Sequence, residues 1–129
     1  MAFSEFQADR IRQRLVRVNL TDEKKMMGGL IFMVNDKMCI GLDIDKETGK
    51  DRLMVRVGKA NHDQLVFKKG SREMDFTGKI MRGFLFIDPD GFDTVRDLDF
   101  WIEKALHFNK QDVQELQISY KSNSRQQSQ

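Results

Sequence analysis

The chain predicts an α+β domain in two layers, with helices covering one face of an antiparallel five-stranded sheet in the order helix, three strands, helix, two strands, helix. Three observations carry this. Apolar residues recur at helical spacing near both ends of the chain, and those between alternate at period two. Glycines, a proline and an Asn-Asp pair interrupt the alternation at the short intervals that hairpins need.

Ser4 followed by Gln7 has the form of a capping box, and Ile11, Leu15 and Val18 come after it at helical spacing, which predicts a helix from about Phe3 to Val18. Glu23-Lys24-Lys25 leads into Met26-Met27-Gly28-Gly29, where the paired glycines stop any helix and the run Leu30 to Val34 begins a strand. Asn35 and Asp36 both tolerate positive φ and predict a hairpin turn. In the next strand Met38, Ile40, Leu42 and Ile44 alternate with Cys39, Gly41 and Asp43, so the two sets are expected on opposite faces. A polar loop from Asp45 to Asp51, turning at Thr48-Gly49, leads to a third strand in which Leu53, Val55 and Val57 alternate with Met54 and Arg56.

Gly58 ends that strand, and Ala60 to Phe67 predicts a short helix that docks Leu65 and Val66 before Lys68-Lys69-Gly70 stops it. Met74 to Phe76 and Ile80 to Asp88 read as two further strands around a Thr77-Gly78 turn. Gly83 marks a bulge or close backbone approach, and Pro89 closes the sheet. Thr94 with Asp97 caps the final helix, whose Val95, Leu98, Ile102, Ala105 and Leu106 make one apolar face flanked by Phe100, Trp101 and Phe108. The domain is thus drawn at residues 1–110. A polar C-terminal extension, 111–129, keeps a loose helical spacing at Val113, Leu116 and Tyr120 before a Ser/Gln/Asn tract.

A domain of this size buries roughly two-thirds of the surface its unfolded chain exposes, so neither metal, disulfide nor other cofactor is needed to hold it together. Cys39 is the single cysteine, and beside eight methionines it suits a reducing compartment, so a cytoplasmic location is expected. No apolar leader opens the chain and no segment reaches the ~18 apolar residues of a membrane span, so neither export nor membrane insertion is expected. A net charge of +2 does not by itself imply a nucleic-acid partner.

Three stretches, Met26-Met27-Gly28-Gly29, Leu53 to Gly58 and Asp75 to Gly83, resemble ordered motifs of the TfoX/Sxy N-terminal domain family. The similarity runs from about Lys24 to Phe108, with Met27 standing where the family usually has Phe, an apolar exchange. The resemblance implies a small α+β domain of secretion-chaperone-like arrangement. It also implies a regulatory role with a protein partner such as a transcription regulator, since the family is named for bacterial competence regulators that work with the cyclic-AMP receptor protein at promoters. The longer competence regulators carry a second, C-terminal helical domain, where this chain has a short polar extension.

No trio of nucleophile, base and oxyanion stabiliser is visible, so no catalytic residue is assigned and the domain is expected not to be an enzyme. Interaction residues can be named. Arg10, Arg14 and Arg17 line one side of the first helix, with Arg12 beside them, suited to phosphates or an acidic partner, or simply to solvent. Lys68, Lys69, Arg72, Lys79 and Arg82 surround Gly70-Ser71 and are suited to cradle an anion. Phe67 and Phe76 read as core, so this group lacks the interleaved aromatics of single-strand binders. Arg56 is expected to face away from the helices or to pair across the sheet with an acid such as Asp43. Trp101 offers a flank to a partner or a second copy, and Val113, Leu116 and Tyr120 offer a homodimer contact.

The acidic groups Asp88-Pro89-Asp90-Gly91 with Asp93, and Asp43, Asp45 and Glu47, lack calcium-loop spacing and read as turns, so no metal is expected. Cys39 reads as packing, and neither His62 nor His107 is near it in sequence. The leading expectation is a regulatory or adaptor domain that acts through protein contacts, away from membranes. The alternatives are direct nucleic-acid binding through the basic faces, or a small ligand-binding protein or enzyme with a pocket near Cys39, Arg56 and Asp75 to Gly83.

Overall fold

A computed structural model describes residues 3–18, 21–76 and 78–127, with the backbone alone for Phe76 and residues 116–127. The first helix, α1 (Glu5–Leu15), starts as its capping pattern requires, with the Ser4 hydroxyl accepting from the Gln7 N–H at 3.3 Å. Four strands follow: β1 (Thr21–Met26), β2 (Gly29–Val34), β3 (Lys37–Ile44) and β4 (Asp51–Arg56). Next come α2 (Lys59–Leu65), β5 (Ser71–Phe76), β6 (Lys79–Ile87), a short 3-10 turn at Pro89–Gly91 and the long helix α3 (Val95–Gln127).

The sheet has six strands rather than the expected five, in the order β1-β2-β3-β4-β6-β5, with every neighbour antiparallel. The additional strand is β1, at one edge. All six of its side chains are exposed, and Thr-Asp-Glu-Lys-Lys-Met has no apolar alternation to betray it. Pairing makes it a strand: Thr21 lies opposite Val34 and Met26 opposite Gly29, with Met27 and Gly28 as a two-residue turn at φ 57° and 76°. Gly28 therefore turns the hairpin and Gly29 opens the expected strand, which is the second of the sheet and not the first. Asn35 and Asp36 form the next hairpin turn, at φ 53° and 63°, as expected.

A bulge corrects the expected facing of Cys39. Phe32 pairs with Ile40 but Met33 pairs with Met38, so Cys39 is an extra residue on β3. Cys39 and Ile40 both enter the helix-side core, while Met38 turns to the other face.

That core lies between the sheet and the helices. Ala8, Ile11 and Leu15 of α1 and Leu98, Trp101, Ile102 and Ala105 of α3 pack on Leu30, Phe32, Val34, Ile40, Leu42, Leu53, Val55, Leu85 and Ile87. Each fully buried Leu, Ile or Phe contributes roughly 1.5–3 kcal/mol relative to exposure, so this face dominates the stability. Thr94 caps α3 by accepting from the Asp97 N–H at 3.1 Å. The helix then crosses the boundary drawn at residue 110 without a break and continues to Gln127. Asn109 fixes its middle to the sheet, donating to the Val34 carbonyl at 2.9 Å and accepting from Asn35 at 2.8 Å. The side chains of Leu116 and Tyr120, like Thr77 of the expected turn, lie outside the described residues.

Two glycines lock the far end of the sheet. Gly83 on β6 sits at φ 91°, and a Cβ there would lie 3.1 Å from the Gly58 carbonyl carbon and the Lys59 nitrogen. Its carbonyl accepts from both Val57 N–H (2.8 Å) and Gly58 N–H (3.1 Å). Its N–H donates to Nδ1 of the fully buried His62 at 3.0 Å, which places the imidazole proton on Nε2. Gly58, at φ 86°, has the Phe108 ring where its Cβ would be, 2.4 Å away. Gly83 is thus a close backbone approach, and it also lies in the stretch of β6 where the register with β5 is broken, so both expectations for it hold. Gly83→Ala should cost roughly 2–4 kcal/mol in chemical denaturation, because strain at positive φ adds to a tight contact with backbone that has little room to give. Gly49→Ala, at φ 69° with nothing within 4 Å, should cost only about 1 kcal/mol.

Candidate interaction surfaces

Most of the arginines singled out from the sequence are engaged within the protein. Arg10 donates to Gln7 and to the Asp93 carbonyl, both at 2.9 Å, and Arg14 pairs with Asp99, so two of the three stripe residues fasten α1 to α3 and the loop before it. Arg12 binds Glu5, Asp9 and Glu23, which ties α1 to β1. Arg17 alone of that stripe is exposed with no ion pair among the described residues. The stripe is therefore not a row of three free cations.

The second basic group is also divided. Arg72 bonds Asp88 (3.0 Å) and Asp45 (2.9 Å), and the Asp88 bond leads the effects that hold its guanidinium above its ordinary pKa, against burial. Arg82 pairs with Asp63 at 2.9 Å. Lys79 is exposed at the β5–β6 turn, remote in the sheet from Lys68 and Lys69. Arg56 does face the other side of the sheet, but its expected partner Asp43 belongs to Arg52, which grips it at 3.0 and 2.8 Å across the β3–β4 pair. Arg56 instead lies over the rings of Phe84 (5.5 Å) and Phe108 (5.1 Å). Trp101 is 2 % exposed and bonds the Gly91 carbonyl through its indole N–H at 3.1 Å, so it is a core residue and no exposed flank.

What sequence reasoning missed is the helix-free face of the sheet. It carries a second apolar cluster in which Ile31, Met54, Met74 and Phe86 are buried and Met33, Met38, Met81 and Phe84 partly so. A groove of about 460 Å³ runs beside it, with Met26 and Met27 at its mouth and Met54, Met74 and Phe86 along it. All seven described methionines of the chain's eight lie on this face or at its rim. Gly41 keeps the floor low, since a Cβ there would meet Ile31 at 3.0 Å and Met54 at 3.2 Å.

Arg52 and Arg72 close one end of the groove. Their guanidinium carbons stand 3.8 and 5.1 Å from the centre of the Phe86 ring, with Asp43, Asp45 and Asp88 holding them there. The acids read as turn residues thus serve as arginine anchors. The signal for this face was the period-2 placement of Met54 and Phe86 between core residues, which the methionines' spread over six strands obscured.

A second concavity, about 310 Å³, lies on the helix side between the turn after α2 and the start of α3, lined by Lys68, Lys69, Arg96, Asp97, Phe100 and Trp101. Phe67, which precedes Lys68 in the chain, is 87 % exposed, against its expected place in the core. Its α2 neighbour Leu65 takes the buried position, and the chain turns outward as Val66 ends the helix.

A family model of the TfoX N-terminal domain matches residues 13–109. Neither the curated proteins nor the solved structures include a match to the chain. The three motifs now have places: Met26 to Gly29 forms the β1–β2 turn at the groove mouth, and the other two motifs bring Gly58 and Gly83 into contact.

Cys39 takes part in neither concavity. It is 1 % exposed, and burial pushes its thiol up to about 12 against a smaller lowering by Arg56. The native thiol should not react with a disulfide reagent at pH 8 until the protein unfolds, as a colorimetric thiol assay with and without denaturant would show. Because the folded pKa exceeds the unfolded one, this group favours folding below about pH 8.5. That contribution should fade as pH rises toward 12, by up to about 1.4 kcal/mol per pH unit. Cys39→Ala should remove that slope from denaturation curves.

Proposed function

The chain belongs to the TfoX N-terminal domain family, and from that premise we propose that it is a cytoplasmic, non-enzymatic regulatory adaptor that acts by holding a protein partner, in the setting of transcription or competence control. The observation that carries this reading is the methionine-lined face. Helices cover the opposite side of the sheet, while this side keeps an open groove bordered by Met26 and Met27, 40 % and 42 % exposed. Unbranched thioether side chains refit to different apolar surfaces at little cost, which suits a docking face. The fixed ion pairs at one end leave a polar border for the rim of such a contact. Among the described residues no group of His, Cys, Asp and Glu is arranged to hold a metal, and no helix is long and apolar enough to cross a membrane.

The test is affinity capture from nuclease-treated extract with the full chain and with a Met26→Glu, Met27→Asn pair. Both positions are exposed, and asparagine accepts the positive φ of Met27. The thermal melt should be unchanged while near-stoichiometric recovery of a protein partner falls at least tenfold. Recovery that ignores the rim substitutions, or that appears only when nucleic acid is left intact, would sink the adaptor reading.

A further inference from the structure

Phe67 buries almost nothing, so it contributes little to folding, yet it immediately precedes Lys68 and Lys69, which line a preformed cationic concavity. Lys68 and Lys69 follow it directly, and Arg96 faces them from α3. While Arg12, Arg14, Arg52, Arg72 and Arg82 are all neutralised by carboxylates, these three cations make no ion pair among the described residues. Asp97 is the one acid in the lining.

The turn that presents them is rigid. Lys68 N–H bonds the Leu65 carbonyl at 3.1 Å, Ser71 N–H bonds the Lys68 carbonyl at 2.9 Å, and Asp88 N–H bonds the Gly70 carbonyl at 2.8 Å. Gly70 crosses Gly91 so closely that a Cβ would come within 2.5 Å of the Gly91 nitrogen. Behind the cations stands an aromatic wall, with Phe100 edge-on to Trp101 at 5.1 Å and Lys68 Nζ 4.7 Å from the centre of the Phe100 ring.

A bare aromatic ring beside uncompensated cations is the combination that single-stranded nucleic acid requires: a face for a base to stack on and charges for its phosphates. A duplex hides its base faces, and in an acidic peptide the charges do not come each with a ring to stack on Phe67, as they do in a strand of nucleotides. We infer that this concavity binds single-stranded nucleic acid, with a base on Phe67 and adjacent phosphates on Lys68, Lys69 and Arg96. The site lies on the helix side, opposite the methionine face, and does not rest on the adaptor reading.

Fluorescence anisotropy of labelled oligothymidine and oligouridine, titrated with the full chain at several salt concentrations, tests this. Phe67→Ala should weaken binding roughly tenfold. Lys68→Gln, Lys69→Gln and Arg96→Gln should each weaken it and reduce the salt slope by about 0.7. Asp97→Asn should tighten it and Arg17→Gln should leave it unchanged, and oligodeoxyuridine set against oligouridine, which differ only at the 2′-OH, separates a preference for DNA from one for RNA. Trp101, the only tryptophan, should report binding by a change in its emission, which gives a readout that needs no variant. The inference is overturned if no oligomer binds, if Phe67→Ala binds as well as the parent, or if a duplex or polyglutamate competes as well as the single strand.

Discussion

The contact on which the rest of the structure depends is the crossing of Gly58 and Gly83. A side chain on Gly83 would press on the Gly58–Lys59 backbone and one on Gly58 would strike the Phe108 ring, while the Gly83 carbonyl accepts N–H groups from both Val57 and Gly58 just past the end of β4. Through this crossing β4 hands the chain to α2, His62 of α2 returns to bond β6, and Phe108 of α3 settles over the gap. A bond to a buried backbone N–H is costly to lose, because no water replaces it. The junction also explains why Leu53 to Gly58 and Asp75 to Gly83 read as family motifs without any catalytic content: they are the two halves of one structural joint.

Charge is distributed by a related logic. A chain with 22 basic residues looks, in sequence, as though it offers several cationic faces. In the fold its arginines mostly cross between elements: α1 to α3, α1 to β1, β3 to β4, and β5 to the loops around it. Bidentate geometry suits arginine to this work, and it leaves those charges compensated by carboxylates within the chain. Among the described residues, the cations without a carboxylate partner are mainly lysines together with Arg10, Arg17, Arg56 and Arg96, so the electrostatic surface is set by a few positions.

Much of the architecture was readable because strong periodicity and punctuation agree. The helices at both ends, the Asn35-Asp36 hairpin, the β3–β4 pair and the role of Gly83 all followed from local pattern. β1 was not readable, since a strand whose side chains all face solvent carries no alternation and is defined by a neighbour's hydrogen bonds. Cys39 was misplaced because one inserted residue reverses the facing of everything before it. The interaction surfaces were least readable. Whether Phe67 is bare or buried depends on how α2 terminates against the body, and the pairing of Arg72 with Asp45 joins residues 27 apart that no spacing rule connects.

The polar strand β1 also sets the order in which the fold loosens. Its place rests on backbone pairing with β2 and on the bond between Arg12 and Glu23, with no buried side chain of its own. Local opening is therefore cheapest at this edge, well below the global unfolding free energy, so its amides exchange with solvent while the central strands remain protected. Each such excursion uncovers the β2 edge and loosens Met26 and Met27 at the groove mouth. The breadth of that mouth is thus governed by how firmly a strand of charged residues holds to its neighbour.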